Sequence, residues 1–275
     1  CSSGASSNRG MKGNSLRQVQ LDRPLDWAAV TDHSEMFGEV RICGDPTDSE
    51  YDSDLCWNKR NAPFALLGFM ARLNATGHRA KMCGPAGEHC EAAALAVWRD
   101  VQAAAEAAYD RSAQCRFTTF VGYEWTGAPG SNNLHRNVLF KNATVPELPI
   151  SYVEEPQLDR FLSRLRRECR EGLPGCDVLT IPHNSNLSDG LMFQPLEADG
   201  QPLSRATAQL RHDWEPLVEI MQHKGQSECR LGPETTDELC GYERLPYQNF
   251  QANYLPWTAK PAPEASFVRW ALKTG

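Results

Sequence analysis

Long hydrophobic runs are missing from this 275-residue chain: no apolar stretch approaches the roughly 20 residues that a membrane-spanning helix needs. A positive charge balance is missing as well, the formal net charge being −7. Nucleic acids and anionic membranes are met by clustered Lys and Arg, so neither is an expected partner. The one basic cluster, residues 160–170 (RFLSRLRRECR), has helical spacing and reads as a solvated helix face. No C-x-x-C pair occurs, which disfavours structural zinc. No G-x-S-x-G elbow and no Walker-type glycine loop occurs, which excludes two common ways of building a hydrolase or nucleotide site. No Gly/Ser- or Pro-rich linker and no repeat of 20–50 residues divides the interior, so one large domain is expected from residue 21 onward.

Cysteine, by contrast, is abundant. Eight of the ten fall into short-range couples, Cys43/Cys56, Cys83/Cys90, Cys169/Cys176 and Cys229/Cys240. Each brackets Gly-, Pro- or Asp-rich sequence, such as CGPAGEHC or CREGLPGC, as a disulfide-closed surface loop does. In the chain-entropy account, closing loops this short stabilises by roughly 2–3 kcal/mol each. An oxidising compartment, periplasmic or extracellular, is the expectation. Cys1 and Cys115 are left over; a lipid-anchored Cys1 is a lesser alternative to a chain that starts within a longer loop.

Apolar runs ending in metal-ligand residues organise the rest. Residues 25–35 (LDWAAVTDHSE) read as a buried strand ending in Asp32 and His33. Residues 117–123 form a second strand with Glu124 at its end; His135 precedes a third, residues 138–140; His183 follows a fourth, residues 177–181. A fifth, residues 216–221 (PLVEIM), leads into His223 and Lys224. Helical patterns lie at residues 62–73, 91–109, 157–171, 204–212 and 264–273, whereas residues 1–20 have no periodicity and read as loop. Alternating strands and helices predict an α/β fold with mostly parallel strands.

Neutral imidazoles with a carboxylate suit Zn, Mn or Fe, and such an ion makes hydroxide available near neutral pH. His33, Glu124, His135 and His183 are therefore the expected metal ligands. Asp32, Asn184 and His223 are expected to orient ligands from behind, and Lys224 or Arg136 to meet the charge of an anionic small-molecule substrate. A structural reading of any one of these residues, as a strand-end side chain bonded to backbone, is as good as the functional one; the set of four ligands favours a metal site.

TDHSE, VGYEW, NLHRNVLF, IPHNSN and VEIMQHKG, in that order, resemble the PHP (polymerase and histidinol phosphatase) superfamily, nearest to its branch known as domain-of-unknown-function family 3604. The resemblance runs from about Leu21 to the C-terminus. It implies a distorted (β/α)7 barrel, two or three metal ions and phosphoester hydrolysis, with Glu124 bridging the ions and His33, His135 and His183 holding them. The family's H-x-H pair and late D-x-H motif have no counterpart here, so the chain reads as an internal part of a longer one, with a reduced metal site. Two other functions stay open: a non-catalytic, disulfide-braced binding or structural protein, and a metal-dependent amidase or lactonase.

Overall fold

The computed structural model describes residues 6–9, 15–19, 21–62, 78–197, 199–232 and 235–274. It is a mixed α/β structure of small sheets and surrounding helices. Strands β1 (Ser6–Arg9) and β2 (Ser15–Val19) pair antiparallel in the segment expected to be loop. The sequence between them contains Gly10, Gly13 and Asn14, residue types that mark a hairpin connection. The helix expected at residues 62–73 lies outside the described residues apart from its first position.

Four stretches of strand position the site. They are β3 (Trp27–Ala29), β4 (Thr118–Phe120) with β5 (Gly122–Trp125), β6 (Arg136–Phe140) and β7 (Val178–Pro182). β3 and β4 pair parallel from Trp27 opposite Thr118 to Ala29 opposite Phe120. The isolated parallel bridge between His33 and Glu124 keeps that same offset of 91 residues, so residues 27–33 track residues 118–124 in one register. β6 pairs antiparallel with both β5 and β7. The sheets are thus mostly antiparallel, not mostly parallel as expected, and no barrel is formed among the described residues. The reason is local: only residues 126–135 join β5 to β6, too few for the crossover of a dozen or more residues that a parallel return needs.

β3 is also less buried than its apolar sequence predicts. Trp27 is 55% and Val30 67% exposed, because the strand lies at a sheet edge with β4 as its one described neighbour. The fifth expected strand shrinks to β8 (Met221–Gln222), which turns back through His223 and Lys224 into β9 (Gly225–Gln226).

The helices follow their apolar periodicity. Phe161, Leu162 and Leu165 of the helix Leu158–Arg166 are fully buried, while its arginines stay in ion pairs such as Arg164–Glu168 and Arg166–Glu171. They pack with Trp98, Tyr123, Trp125 and Phe140 into the main core, where Trp125 and Phe161 stack at 4.9 Å. Helices α1 (Phe37–Ile42) and α3 (Glu88–Ala108) pack together, α3 also meets β4, and α2 (Asp54–Asn61) is joined to the end of α1 by Cys43–Cys56. A second cluster there holds Ile42, Met82 and two disulfides.

All four expected disulfides are present: Cys43–Cys56, Cys83–Cys90, Cys169–Cys176 and Cys229–Cys240. Their place in the fold differs from the surface loops expected, since all eight half-cystines are buried. Cys176 shows the difference most clearly. It stands just before β7, and with Cys169 it belongs to the main core that Phe161, Leu165 and Val178 also fill. The loop between the two stays at the surface, with Glu171, Gly172, Pro174 and Gly175 exposed, while the apolar bridge turns inward. Cys115 is free and exposed. Four disulfides fit a periplasmic or extracellular location, and no described helix is long and apolar enough to cross a membrane.

The α1–α3 crossing is set by Gly38. A Cβ built there would lie 2.1 Å from the Cys90 carbonyl oxygen, so any side chain pushes the two helices apart. Gly38→Ala should therefore lower stability by about 1–3 kcal/mol in urea unfolding. A variant as stable as wild type would show that the crossing is loose.

Candidate metal centre

The reversed direction of β6 is what assembles the site. His33 and Glu124 lie where their two parallel strands end. His135 precedes antiparallel β6 and His183 follows β7, so both arrive at the same edge of the sheet. The His183 amide donates to the His135 carbonyl at 2.9 Å, which locks the two side by side. Their rings stack at 5.5 Å, and the His33 ring meets that of His135 edge-on at 5.7 Å.

Glu124 stands between the imidazoles. Its Oε1 is 2.7 Å from His135 Nδ1 and its Oε2 3.3 Å from His33 Nδ1, with His183 Nε2 3.8 Å from Oε1. Donor atoms of His33, Glu124 and His135 all lie within 4.8 Å of one another, close enough for one ion. Burial pushes the Glu124 carboxyl above its usual range, with His33 and Lys224 opposing that shift. Burial also holds His135 well below the ordinary histidine value and His183 down to about 2. Both rings are therefore neutral, the state that ligates metals. With Nδ1 of His135 directed at Glu124, its Nε2 is buried and has no hydrogen-bond partner among the described residues. A carboxylate on one ring nitrogen and a bare second nitrogen is the usual arrangement of a metal-bound histidine. The donor set fits a divalent ion.

Residues the sequence did not single out complete the setting. Thr126 Oγ1 lies 2.7 Å from His33 Nδ1. The Thr126 and Tyr152 amides both donate to Oε1 of the fully buried Glu35, whose carboxyl is pushed up by that burial. Glu219 Oε2 accepts from the Asn184 amide at 2.8 Å and from Gln222 Nε2 at 2.7 Å. Gln222 Nε2 and Lys224 Nζ also approach the two ring nitrogens of His183, at 3.1 and 3.2 Å. A neutral imidazole can accept only one of these donors. Phe250 lies 5.5 Å from the His135 ring, and Lys224 Nζ lies 5.1 Å from the centre of the Phe250 ring. Thr126 shares its strand face with Glu124 two residues earlier, a period-2 signal that could have found it; nothing local marks Phe250.

The other expected residues divide. Lys224 reaches the site because its hairpin is tied down: Asn186 Nδ2 donates to the Lys224 carbonyl at 2.7 Å and Asn184 Nδ2 to that of Gly225 at 2.5 Å. Asn184 thus fastens the Lys224 turn, and Gly225, at φ 88°, closes it. Asp32 and His223 are exposed at the cavity wall. Arg136 is not in the site. It is buried, with Nε donating to Glu215 Oε1 at 2.9 Å and NH1 to the Leu134 carbonyl. Adjacent residues of a strand face opposite ways, so with His135 in the site, Arg136 is turned from it.

Burial lowers the Lys224 ammonium from 10.5 to about 8. Below about 8 both folded and unfolded chains hold the proton and the burial penalty is complete. Between about 8 and 10.5 the unfolded chain binds more protons, so this group's contribution to stability rises with pH. After dialysis against a chelator, Lys224→Met should therefore be more stable than wild type at pH 7, by as much as about 3 kcal/mol. The gap should close as the pH passes 10; an equal gap at pH 7 and 10, in paired urea titrations, would show that desolvation is not the cause.

No curated protein and no solved structure matches this chain. The model of one family, described as Protein of unknown function (DUF3604), matches residues 6–275. That match spans nearly the whole sequence, and the chain belongs to the DUF3604 family.

Proposed function

We propose that this chain is a metal-dependent hydrolase of PHP type acting on phosphoesters. The observation that carries the reading is the bare, buried Nε2 of His135, held by Glu124 on its other nitrogen and grouped with His33 around one position. Mn, Zn and Fe are the ions whose preferences suit two imidazoles and a carboxylate. The PHP assignment rests on the order of the motifs around His33, Glu124, His135, His183 and Lys224.

When bound, such an ion supplies hydroxide at neutral pH and polarises a phosphoryl oxygen. His33, His135 and His183 would hold it, and Glu124 balances its charge from within the sheet edge. Thr126 fixes the His33 ring through Nδ1. Lys224 brings an ammonium into the same cavity, where it meets the negative charge that grows on a phosphoryl group under attack. Phe250 lies against His135 and Lys224.

Elemental analysis and Mn2+ titration of the purified chain test this reading. Wild type should bind Mn2+ stoichiometrically, and Glu124→Ala and His135→Ala should abolish binding while remaining folded by circular dichroism. Thr126→Val should weaken affinity about 10- to 100-fold. Phosphoester turnover should follow metal occupancy across the set. A folded wild type that takes up no metal would sink the proposal and favour the non-catalytic binding protein; metal binding with turnover of lactones or amides alone would move the substrate class.

A further inference from the structure

The metal centre occupies one end of a cavity of about 1520 Å³. Its other end is bounded by the wall of α1 and α3. Phe37, Val40 and Arg41 line it at the spacing of one face of α1, with Met36 just before the helix and Gly44 just past it. This face begins four residues after His33 and leads away from it. At 1.5 Å per residue, the 6 residues of α1 span roughly 9 Å. Val97 of α3 adds to the same side, and Pro46 from the Cys43–Cys56 loop lies beyond.

The wall is apolar next to the metal centre and neutral on balance at its far end. Met36 and Phe37 are nearly buried, whereas Val40 is 41% exposed although it lies beside the cavity. Farther out, Arg41 is paired with Asp100 at 3.1 Å, and Lys59 and Asp45 line the wall as opposite charges. A second anionic group is therefore not called for there, while the near end carries Lys224 beside the ligands. The wall is also firmly held. Gly38 lets α1 touch the backbone of α3 at Cys90, which is bridged to Cys83, and Cys43 just past α1 is bridged to Cys56 of α2.

Resting on the phosphoesterase reading, we propose that the substrate is a phosphoester whose alcohol part is extended and mainly apolar, lying along the α1–α3 wall with Val40 and Val97 beneath it. The phosphoryl group sits at His33, Glu124, His135 and Lys224. The wall discriminates against short, polar alcohols by withholding hydrogen-bond partners along its first half.

Calorimetric titration of the full chain with n-alkyl phosphonates from ethyl to octyl, in the presence of Mn2+, tests the wall without requiring turnover. Affinity should rise about two- to fourfold for each added methylene. Val40→Asp should flatten the series, and Val40→Leu should keep the slope. A flat series in wild type, a slope unchanged in Val40→Asp, or no phosphonate binding by a chain that circular dichroism shows folded would each overturn the proposal. Hydrolysis of the matching alkyl phosphates separates the two readings. Turnover with a flat series removes the wall and keeps the phosphoesterase; a rising series without turnover of any ester keeps the wall and removes the phosphoesterase.

Discussion

A carboxylate withdrawn from water between two imidazoles is the constraint on which this site depends. Glu124 is buried at a strand end with His135 at 2.7 Å and His33 at 3.3 Å, yet His135 and the partly buried His183 are held neutral, so neither brings it a positive charge. Desolvation therefore works against its charge, and His33 and Lys224 offset it only in part. An ensemble of this kind is unfavourable as a purely structural element, since buried charges without full compensation destabilise a fold. A divalent ion held by His33, Glu124 and His135 would ease the conflict by supplying positive charge beside the carboxylate.

The surroundings are arranged to hold that conflict in place. Glu35 gathers the amides of Thr126 and Tyr152, and Thr126 in turn bonds His33, so the strand end and the following turn move as one. Asn184 and Asn186 perform the same task on the opposite side, pinning the hairpin that presents Lys224. Most of these contacts are made through backbone groups at the edge of the sheet.

Much of the site was legible because strand ends are local events. Apolar runs stopping at Asp32, Glu124 and Pro182 announced where polar side chains leave the sheet, and those side chains do converge. Arg136 was misplaced because chain adjacency to His135 says nothing about which face a residue takes; in an extended strand it takes the other one. Glu219 was hidden in residues 216–221, read as continuous strand, and Gln222 stood just past their end, whereas the chain there forms strand only at Met221–Gln222 and leaves both beside His183.

By itself the sequence determined the four disulfides, since partners 7–13 residues apart meet by closing one short loop. It did not determine that Cys169 and Cys176 would lie in the core, because the polar loop between them says where the chain turns and not which way the sulfurs point. The sequence also determined the helices whose apolar faces repeat at 3.6 residues, and the identity of the residues able to ligate a metal. Only the tertiary structure decided the direction of β6, and with it that His135 and His183 arrive at the same edge as His33 and Glu124. The short connection of residues 126–135 forces an antiparallel return, but the periodicity of a strand carries no direction, so only the pairing shows which ends coincide. The pairing of Arg136 with Glu215, 79 residues on, and the contact of Phe250 with His135 were decided in the same way, by packing that brings together positions no local pattern connects.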